Sequence, residues 1–311
     1  MIVVLAGGVG AARFIEGLVR IVAEPEITVV GNTGDDATLH GLHVSPDLDT
    51  VTYTLAGAAN PETGWGLAGD SFRTMEALER YRLPTWFRLG DRDLATHLFR
   101  TVRLAAGAAL SEVTAEIAEA WGLRFRLVPM SDDAVRTRLR LAGGGEVDFQ
   151  EYFVRLRHQV AVESIDYRGA ASAFPAPGVV AALAAAEAIV LAPSNPLLSI
   201  APILAVPGIG EVLARRRERV VAVSPIVAGR ALKGPADHLL AELGHESSAV
   251  GVAQLLSPYV GRLVIDRADA VLGGRVSAVG VDAVVADTVM RTPEVAAELA
   301  RVALSSVAGQ P

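Results

Sequence analysis

The chain has 311 residues, 51% of them hydrophobic and 20% charged, a formal net charge of −7 and no cysteine. These values describe a globular protein of one large domain or two closely packed ones, and they exclude a disulfide framework, thiolate chemistry and a strongly basic nucleic-acid face. No run reaches the roughly 18–20 uninterrupted apolar residues of a spanning helix, and the start, MIVVLAGGVGAARF, lacks the basic region of a signal peptide. A cytoplasmic protein that binds neither membrane nor nucleic acid is expected.

IVVLA (Ile2 to Ala6) is a continuous apolar run, the pattern of a strand covered on both faces. GGVGAAR interrupts it, and FIEGLVRIVA resumes at helical spacing. Gly8, Gly10 and then Arg13 depart from the G-x-G-x-x-G fingerprint, so NAD is not indicated. Glycines here still let backbone amides approach a phosphate at a helix N-terminus, and Arg13 in the first turn adds a charge-assisted contact. A tight turn with no ligand accounts for the same glycines. EITVVGN (Glu26 to Asn32) is the second expected strand.

Behind that strand Asp35, Asp36, Asp47 and Asp49 fall within fifteen residues. In SPDLDT, Ser45 is placed as a helix cap, Pro46 at the first helical position and the acids in the first turn. The helix dipole alone would explain Asp47, but not four carboxylates gathered after one strand. Hard oxygen ligands in that number suit Mg²⁺, which keeps several waters and bridges substrate phosphates. His40 and His43 are expected as hydrogen-bonders rather than ligands. Trp65, between glycines, either stacks on a flat ring or plugs a loop. FRLGDRDLATHLFR adds Arg88, Asp91, Arg92 and Asp93 near a helix start, after Asp70. That arrangement suits an anion, or an exposed cap with an ion pair of about 0–1 kcal/mol.

The middle reads differently. SEVTAEIAEAWG is a helix, while RTRLRLAGGGEVDFQEYFVRLR alternates about a glycine turn as a β-hairpin. With the helices before it, this stretch predicts an inserted α+β lobe at about 105–170. EAIVLA (Glu187 to Ala192) and RVVAVS (Arg219 to Ser224) return to buried strands, and the basic LARRRER between them fits the last turn of a helix. In APSNPLLSI, Ser194 and Asn195 stand after a strand and before a helix capped by Ser199, where they can read a base edge or a phosphate. SPIVAGRALKGPA offers Ser224, Arg230 and Lys233 to an anion. TPEVAAELARVALSSV is a helix with Thr292 as its cap. No nucleophile–base constellation is present, so covalent catalysis is not indicated. Strand–helix alternation predicts an α/β fold, a mostly parallel sheet with helices on both faces and ligands beyond the carboxyl ends of its strands.

Taken in order, LAGGVGAAR, GDD…HGLHVSPDLDTVTYTLAG, GWG, GDRDLATHL, PMSDD, FQEYFVR, APSNPLLSI…ILAVPGI and SPIVAGRALKGPA resemble the 2-phospho-L-lactate transferase family. Its actinobacterial members are phosphoenolpyruvyl transferases of coenzyme F-420 biosynthesis. The resemblance runs from Leu5 to about Ala236 and more weakly beyond. It implies a Rossmann-like transferase domain over 1–311 with the inserted lobe, a homodimer, Mg²⁺, and two small-molecule substrates. These are the deazaflavin Fo and a guanosine diphosphate-linked phospholactate or phosphoenolpyruvate. A ribityl hydroxyl of Fo would attack the phosphorus that bears the three-carbon acid, releasing GMP and giving F-420-0 or its dehydro form.

The resemblance implies Asp49 of PDLDT as the deazaflavin-side acid near the metal, with Asp47 beside it; both are expected as catalytic and metal residues. With the residue-level reading it nominates Gly7, Gly8, Gly10, Arg13, Asn32, Asp36, Trp65, Arg88, Asp91, Arg92, Thr96, Ser194, Asn195 and Lys233 for substrate binding, with Ser194 and Asn195 toward the guanosine nucleotide. Two positions depart from the family pattern. Ala11 stands where glycine is common, so its methyl is expected to crowd a phosphate, and Ala228 lies in a segment often richer in glycine. The competing expectation is a non-catalytic, nucleotide-sugar-binding regulator of the same superfamily. The joint presence of PDLDT and GDRDLATHL favours the transferase.

Overall fold

The computed structural model describes residues 1–308. Seven strands form the central sheet: β1 (Ile2–Ala6), β2 (Ile27–Gly31), β3 (Arg126–Pro129), β4 (Ala188–Leu191), β5 (Val220–Val223), β6 (Arg262–Asp266) and β7 (Asp282–Ala286). Their order is β7-β6-β5-β4-β1-β2-β3, and every neighbouring pair is parallel. The α/β fold expected from the alternation, Rossmann-like as the resemblance implies, is the fold observed.

The apolar runs have a direct physical cause. Side chains of a strand alternate between faces. In β1, Val3 and Leu5 join one core with Val30, Ile189 and Leu191, while Ile2, Val4 and Ala6 join the other with Val29 and Val190. A strand covered on both sides must be apolar throughout. The four strands expected from sequence appear within a residue of their expected ends. β3, β6 and β7 were not anticipated. β3 is four residues long and opens on the exposed Arg126, and β7 is an edge strand buried only at Ala286. β6 is a buried run bounded by Arg262 and Asp266.

The chain runs outward from β1 through β2 to β3, then returns to place β4 on the other side of β1. The carboxyl ends of β1 and β4 therefore flank the topological switch point, where open α/β sheets bind ligands. Five helices frame that region: α1 (Gly8–Leu18), α2 (Pro46–Leu55), α3 (Asp93–Ala105), α4 (Leu110–Ala120) and α5 (Pro293–Ala308). α5 crosses α1 so closely that a Cβ on Gly17 would stand 2.2 Å from the carbonyl carbon of Ala296. Thr292 Oγ1 accepts from Val295 N at 3.4 Å, in keeping with its expected capping place.

The lobe differs from expectation in two respects. The expected span is about 105–170, but β3 pairs with β2 in the main sheet and α4 packs against β3. The separate three-stranded antiparallel sheet comprises only Arg136–Leu141, Glu146–Asp148 and Val162–Arg168. The expected hairpin closes between its first two strands, whereas EYFVR forms a short π-helix, Glu151–Arg155. No single helix among the described residues is long and apolar enough to cross a membrane.

α3 is amphipathic in an inverted sense. Its polar Thr96, His97 and Arg100 are buried, while Leu98, Phe99 and Val102 are 52%, 42% and 63% exposed. The buried polar face belongs to the site described next.

Candidate active site

β1 ends in a turn whose glycines are required by its neighbours. A Cβ on Gly7 would lie 2.5 Å from Ser199 Cβ and 2.7 Å from Asp47 Oδ2, and one on Gly10 would lie 2.1 Å from the Pro193 carbonyl oxygen. Gly8 has φ +72°, the left-handed region that favours glycine. Gly7 N–H donates to Ser194 Oγ at 3.3 Å, which ties the turn to the loop after β4. Ala11 is fully buried in the core beneath the sheet. Its methyl therefore faces packing rather than a phosphate, contrary to expectation.

Over this turn stands a cationic pair. Lys233 Nζ donates to Thr63 O at 3.0 Å, and burial, then the charge of Arg13, lower its pKa. The Asn60–Gly66 segment folds down so that a Cβ on Gly64 would lie 2.8 Å from Val9 Cγ1 and 3.1 Å from Lys233 Nζ. Trp65, in that segment, is 49% exposed.

The acids behind β2 divide into two groups. The first surrounds Asn32, whose Nδ2 donates to Asp47 Oδ2 at 2.9 Å and to Asp35 Oδ1 at 3.3 Å. Asp36 Oδ2 accepts from Ser45 Oγ at 2.8 Å and lies 2.9 Å from His43 Nε2. Ser45 thus occupies the N-cap position of α2 but spends its hydroxyl on Asp36 instead of the helix. From the lobe, Gln150 Nε2 donates to Asp35 Oδ2 at 3.3 Å. Asp35, Asp36 and Asp47 are all buried. Burial pushes the Asp47 carboxyl up to about 7; the Asn32 hydrogen bond opposes the rise and the charge of Asp36 adds to it. Asp35 is raised for the same reasons, burial first, then Asp47 and Asp36. Among the described residues, the buried Asp36 Oδ1, Thr33 Oγ1 and Thr137 Oγ1 have no hydrogen-bond partner.

The second group lies on the other side of α2. Residues two apart on a helix do not face each other, and Asp49 points away from Asp47 toward α3. Its carboxylate forms a two-pronged ion pair with Arg100, with Nη1 at 3.2 Å from Oδ2 and Nη2 bonded to Oδ1. His97 Nδ1 lies 3.7 Å from Asp49, and His97 Nε2 lies 3.2 Å from Asp93. Asp93 also accepts from Tyr53 OH at 2.6 Å. Arg100 is 1% exposed and Asp49 5%. Burial raises the Asp49 pKa and the charges of Arg100 and His97 hold it down. The structure does not bring Asp47 and Asp49 to one point. Among the described residues, no group of three acidic or histidine side chains is arranged to hold a metal unaided.

The remaining nominated residues are held by local structure. Asp70 accepts from the backbone N–H of Ser71, Arg92 and Asp93 at 2.8, 2.8 and 3.1 Å and so caps α3. Asp91 accepts from Ser71 Oγ at 2.5 Å and from the N–H of Arg73 and Thr74 at 3.0 Å each, capping the Arg73–Leu78 helix. Arg92 donates to Ala68 O, Arg88 lies over the Phe72 ring at 4.1 Å, and Thr96 is buried. Asn195 Oδ1 accepts from the N–H of Leu197 and Leu198. Asn195, rather than Ser199, is therefore the cap there. Gln150, Tyr53, His97 and Arg100 also belong to the site, although the sequence motifs do not single them out. Nothing but the inverted face of α3 marks the last two, since a buried arginine carries no signal of its own.

The sequence model of the family described as 2-phospho-L-lactate transferase CofD matches residues 2–303. The phosphoenolpyruvate transferase of Streptomyces coelicolor is 47% identical over 98% of this chain and 97% of its own length. That of Kitasatospora aureofaciens is 46% identical over the same shares, and that of Mycolicibacterium smegmatis is 40% identical over 97% of each. In fold, the chain is similar to a crystal structure of a UPF0052 family member from Bacillus halodurans. That match has a TM-score of 0.66 at 14% identity and covers 96% of this chain and 98% of the other. A match over nearly the whole chain, with the glycine turn, acid loop and α2 in place, makes the protein a member of the 2-phospho-L-lactate transferase family and hence a transferase.

Proposed function

We propose that the chain transfers the phosphate-linked three-carbon acid of a guanosine diphosphate-linked donor, phosphoenolpyruvate-type or lactate-type, to a ribityl hydroxyl of the deazaflavin Fo. GMP leaves, and the product is an F-420 precursor. The observation that carries this reading is the buried trio Asp35, Asp36 and Asp47, which adjoins the glycine turn below Arg13 and Lys233 at the switch point. Phosphoryl transfer to a hydroxyl needs three things there: anion-binding groups, a group to orient or deprotonate the hydroxyl, and neutralisation of the donor diphosphate as GMP leaves. Backbone amides of the turn, Arg13 and Lys233 suit the first. Asp47, held by Asn32, suits the second.

The trio fits Mg²⁺. Three carboxylates buried side by side repel one another, and Asp36 Oδ1 has no partner among the described residues. Mg²⁺ takes one or two carboxylates together with waters and substrate phosphates, so Asp47 and Asp36, with Asp35 behind them, would hold it. When bound, the cation supplies charge neutralisation to the diphosphate oxygens. Asp49, paired with Arg100, acts in this reading as a positioning residue that fixes α2. The phosphoenolpyruvate transferase names of the relatives favour that donor. Dimerisation belongs to the same proposal, and the exposed apolar face of α3 supports it.

The test is direct. Purified chain, Fo, Mg²⁺ and each donor are incubated, and the products are read by mass spectrometry. Fo gaining the mass of the phospho-acid, with GMP in equal amount, is the expected result. Unchanged Fo with every donor would refute the assignment.

A further inference from the structure

The motif FQEYFVR supplies Gln150 to the acid loop, and the reaction proposed above uses no more of it. After Gln150 the chain turns through the π-helix Glu151–Arg155, a rare form found mostly at functional positions. Arg157 and His158, just beyond it, both adopt the left-handed region, at φ +51° and +44°. Two successive side-chain-bearing residues hold that conformation only where the surroundings impose it.

What the turn builds is a pile of rings. Phe149 and Phe153 lie 5.5 Å apart at 24°, and Phe153 and His158 lie 5.5 Å apart at 22°. Phe149 rests on the core, Phe153 is in the middle, and the half-buried His158 imidazole is the outer ring. Phe153 Cε2 lies 3.8 Å from where a Cβ of Gly234 would stand. Gly234 follows Lys233, so the pile borders the cationic wall over the glycine turn.

We propose that His158 is the stacking platform for a fused aromatic lactam ring, with Phe149 and Phe153 holding the imidazole flat. Guanine and deazaflavin share that ring chemistry, and the proposal rests on the transferase reading above, which supplies both. Loss of one aromatic stacking partner weakens binding by roughly 5- to 150-fold.

The experiment measures binding of Fo alone by fluorescence and of GDP alone by calorimetry, with inorganic pyrophosphate as a ring-free control. The full chain is compared with His158→Ala and His158→Phe. His158→Ala is expected to weaken one ring ligand by that factor and leave pyrophosphate unchanged, and His158→Phe is expected to restore binding. The ligand that weakens identifies the ring. Unchanged affinity for both ring ligands in His158→Ala would overturn the proposal. A parallel loss of pyrophosphate binding would also overturn it, because the turn would then be structural. Wild-type chain that bound neither Fo nor GDP would overturn the transferase reading, and this proposal with it.

Discussion

Asp49→Asn tests whether the second aspartate of PDLDT is chemical or structural. In the fold Asp49 is 5% exposed, and its carboxylate grips the guanidinium of Arg100, which is 1% exposed. Asparagine keeps the shape but removes the charge, leaving Arg100 buried beside His97, with Asp36 as the next carboxylate acting on it. Breaking one side of a buried ion pair costs about 3–5 kcal/mol, a large share of the roughly 5–15 kcal/mol that holds a domain folded. Urea unfolding followed by circular dichroism should therefore show an unfolding free energy lowered by that amount, seen as a lower midpoint at unchanged slope. The paired change Asp49→Leu with Arg100→Met should recover most of it, because the desolvation of both charges is removed together. The coupling from the full cycle should be at least about 2 kcal/mol. An Asp49→Asn protein within about 0.5 kcal/mol of wild type would refute the reasoning. Its carboxylate would then be free for chemistry after all.

Ala228 has φ +49° in the SPIVAGR turn, a conformation costing about 1–2 kcal/mol for a side-chain-bearing residue; Ala228→Gly should raise stability by about 0.5–1 kcal/mol after the entropy of glycine is counted, read as a higher urea midpoint. The hydrogen bonds from Ser71, Thr74 and Arg73 hold the Asp91 carboxyl below its ordinary value. A lowered carboxylate pKa gives stability that is present above the unfolded value near 3.8 and lost as pH falls through the folded one. Asp91→Asn should therefore flatten the acid limb of stability below about pH 4, as a pH-series of melting curves would show. EDTA should abolish turnover and Mg²⁺ or Mn²⁺ should restore it, and full turnover in a chelated preparation would leave arginine and lysine as the only neutralising groups. Leu98→Glu with Val102→Glu should convert the proposed dimer to a monomer in light scattering and leave the proposed Fo binding unchanged, because these side chains are exposed while the polar face of α3 is buried toward the site.

Much of the site region was legible, because a strand covered on both faces and the loop after it leave strong marks. IVVLA is apolar throughout for that reason, ITVVG is apolar but for the buried Thr28, and the acids behind the second of them stand out against a hydrophobic background. What a linear reading could not resolve was direction. Asp47 and Asp49 look like one pair in PDLDT, but a rotation of about 200° between them sends one to the sheet and the other to α3. The types of Ser45 and Asp91 suit either a cap or a ligand, and only tertiary partners decide which, whereas Asn195 caps the turn that follows it. β3 was missed because its exposed first residue and its place behind a helix made it look like part of the lobe. Gln150 illustrates the same limit, since it acts 115 residues away from the aspartate it touches.

The division of the aspartates bears on how an acidic protein binds an anionic donor. Around Asp49 and Asp93 the chain supplies its own counter-charge, with Arg100 buried between α2 and α3 and His97 between the two carboxylates. Around Asp35, Asp36 and Asp47 the hydrogen-bond partners that the chain supplies are the neutral Asn32, Ser45 and Gln150, with His43 at the edge, and the Arg100 charge, already paired with Asp49, reaches Asp36 only secondarily. Arg136 lowers the Asp35 pKa only as the last of its causes, and the rise from burial outweighs it. At about 4 Å and an effective dielectric near 20, each bare like-charge pair costs roughly 4 kcal/mol. A diphosphate brought to the neighbouring glycine turn adds to that repulsion. Arg13 and Lys233 offset part of it from the other side of the turn, but neither touches the trio. The proposed cation fills that gap, binding where the fold compensates negative charge only in part, and its affinity should rise when the donor diphosphate is present to complete the ligand set.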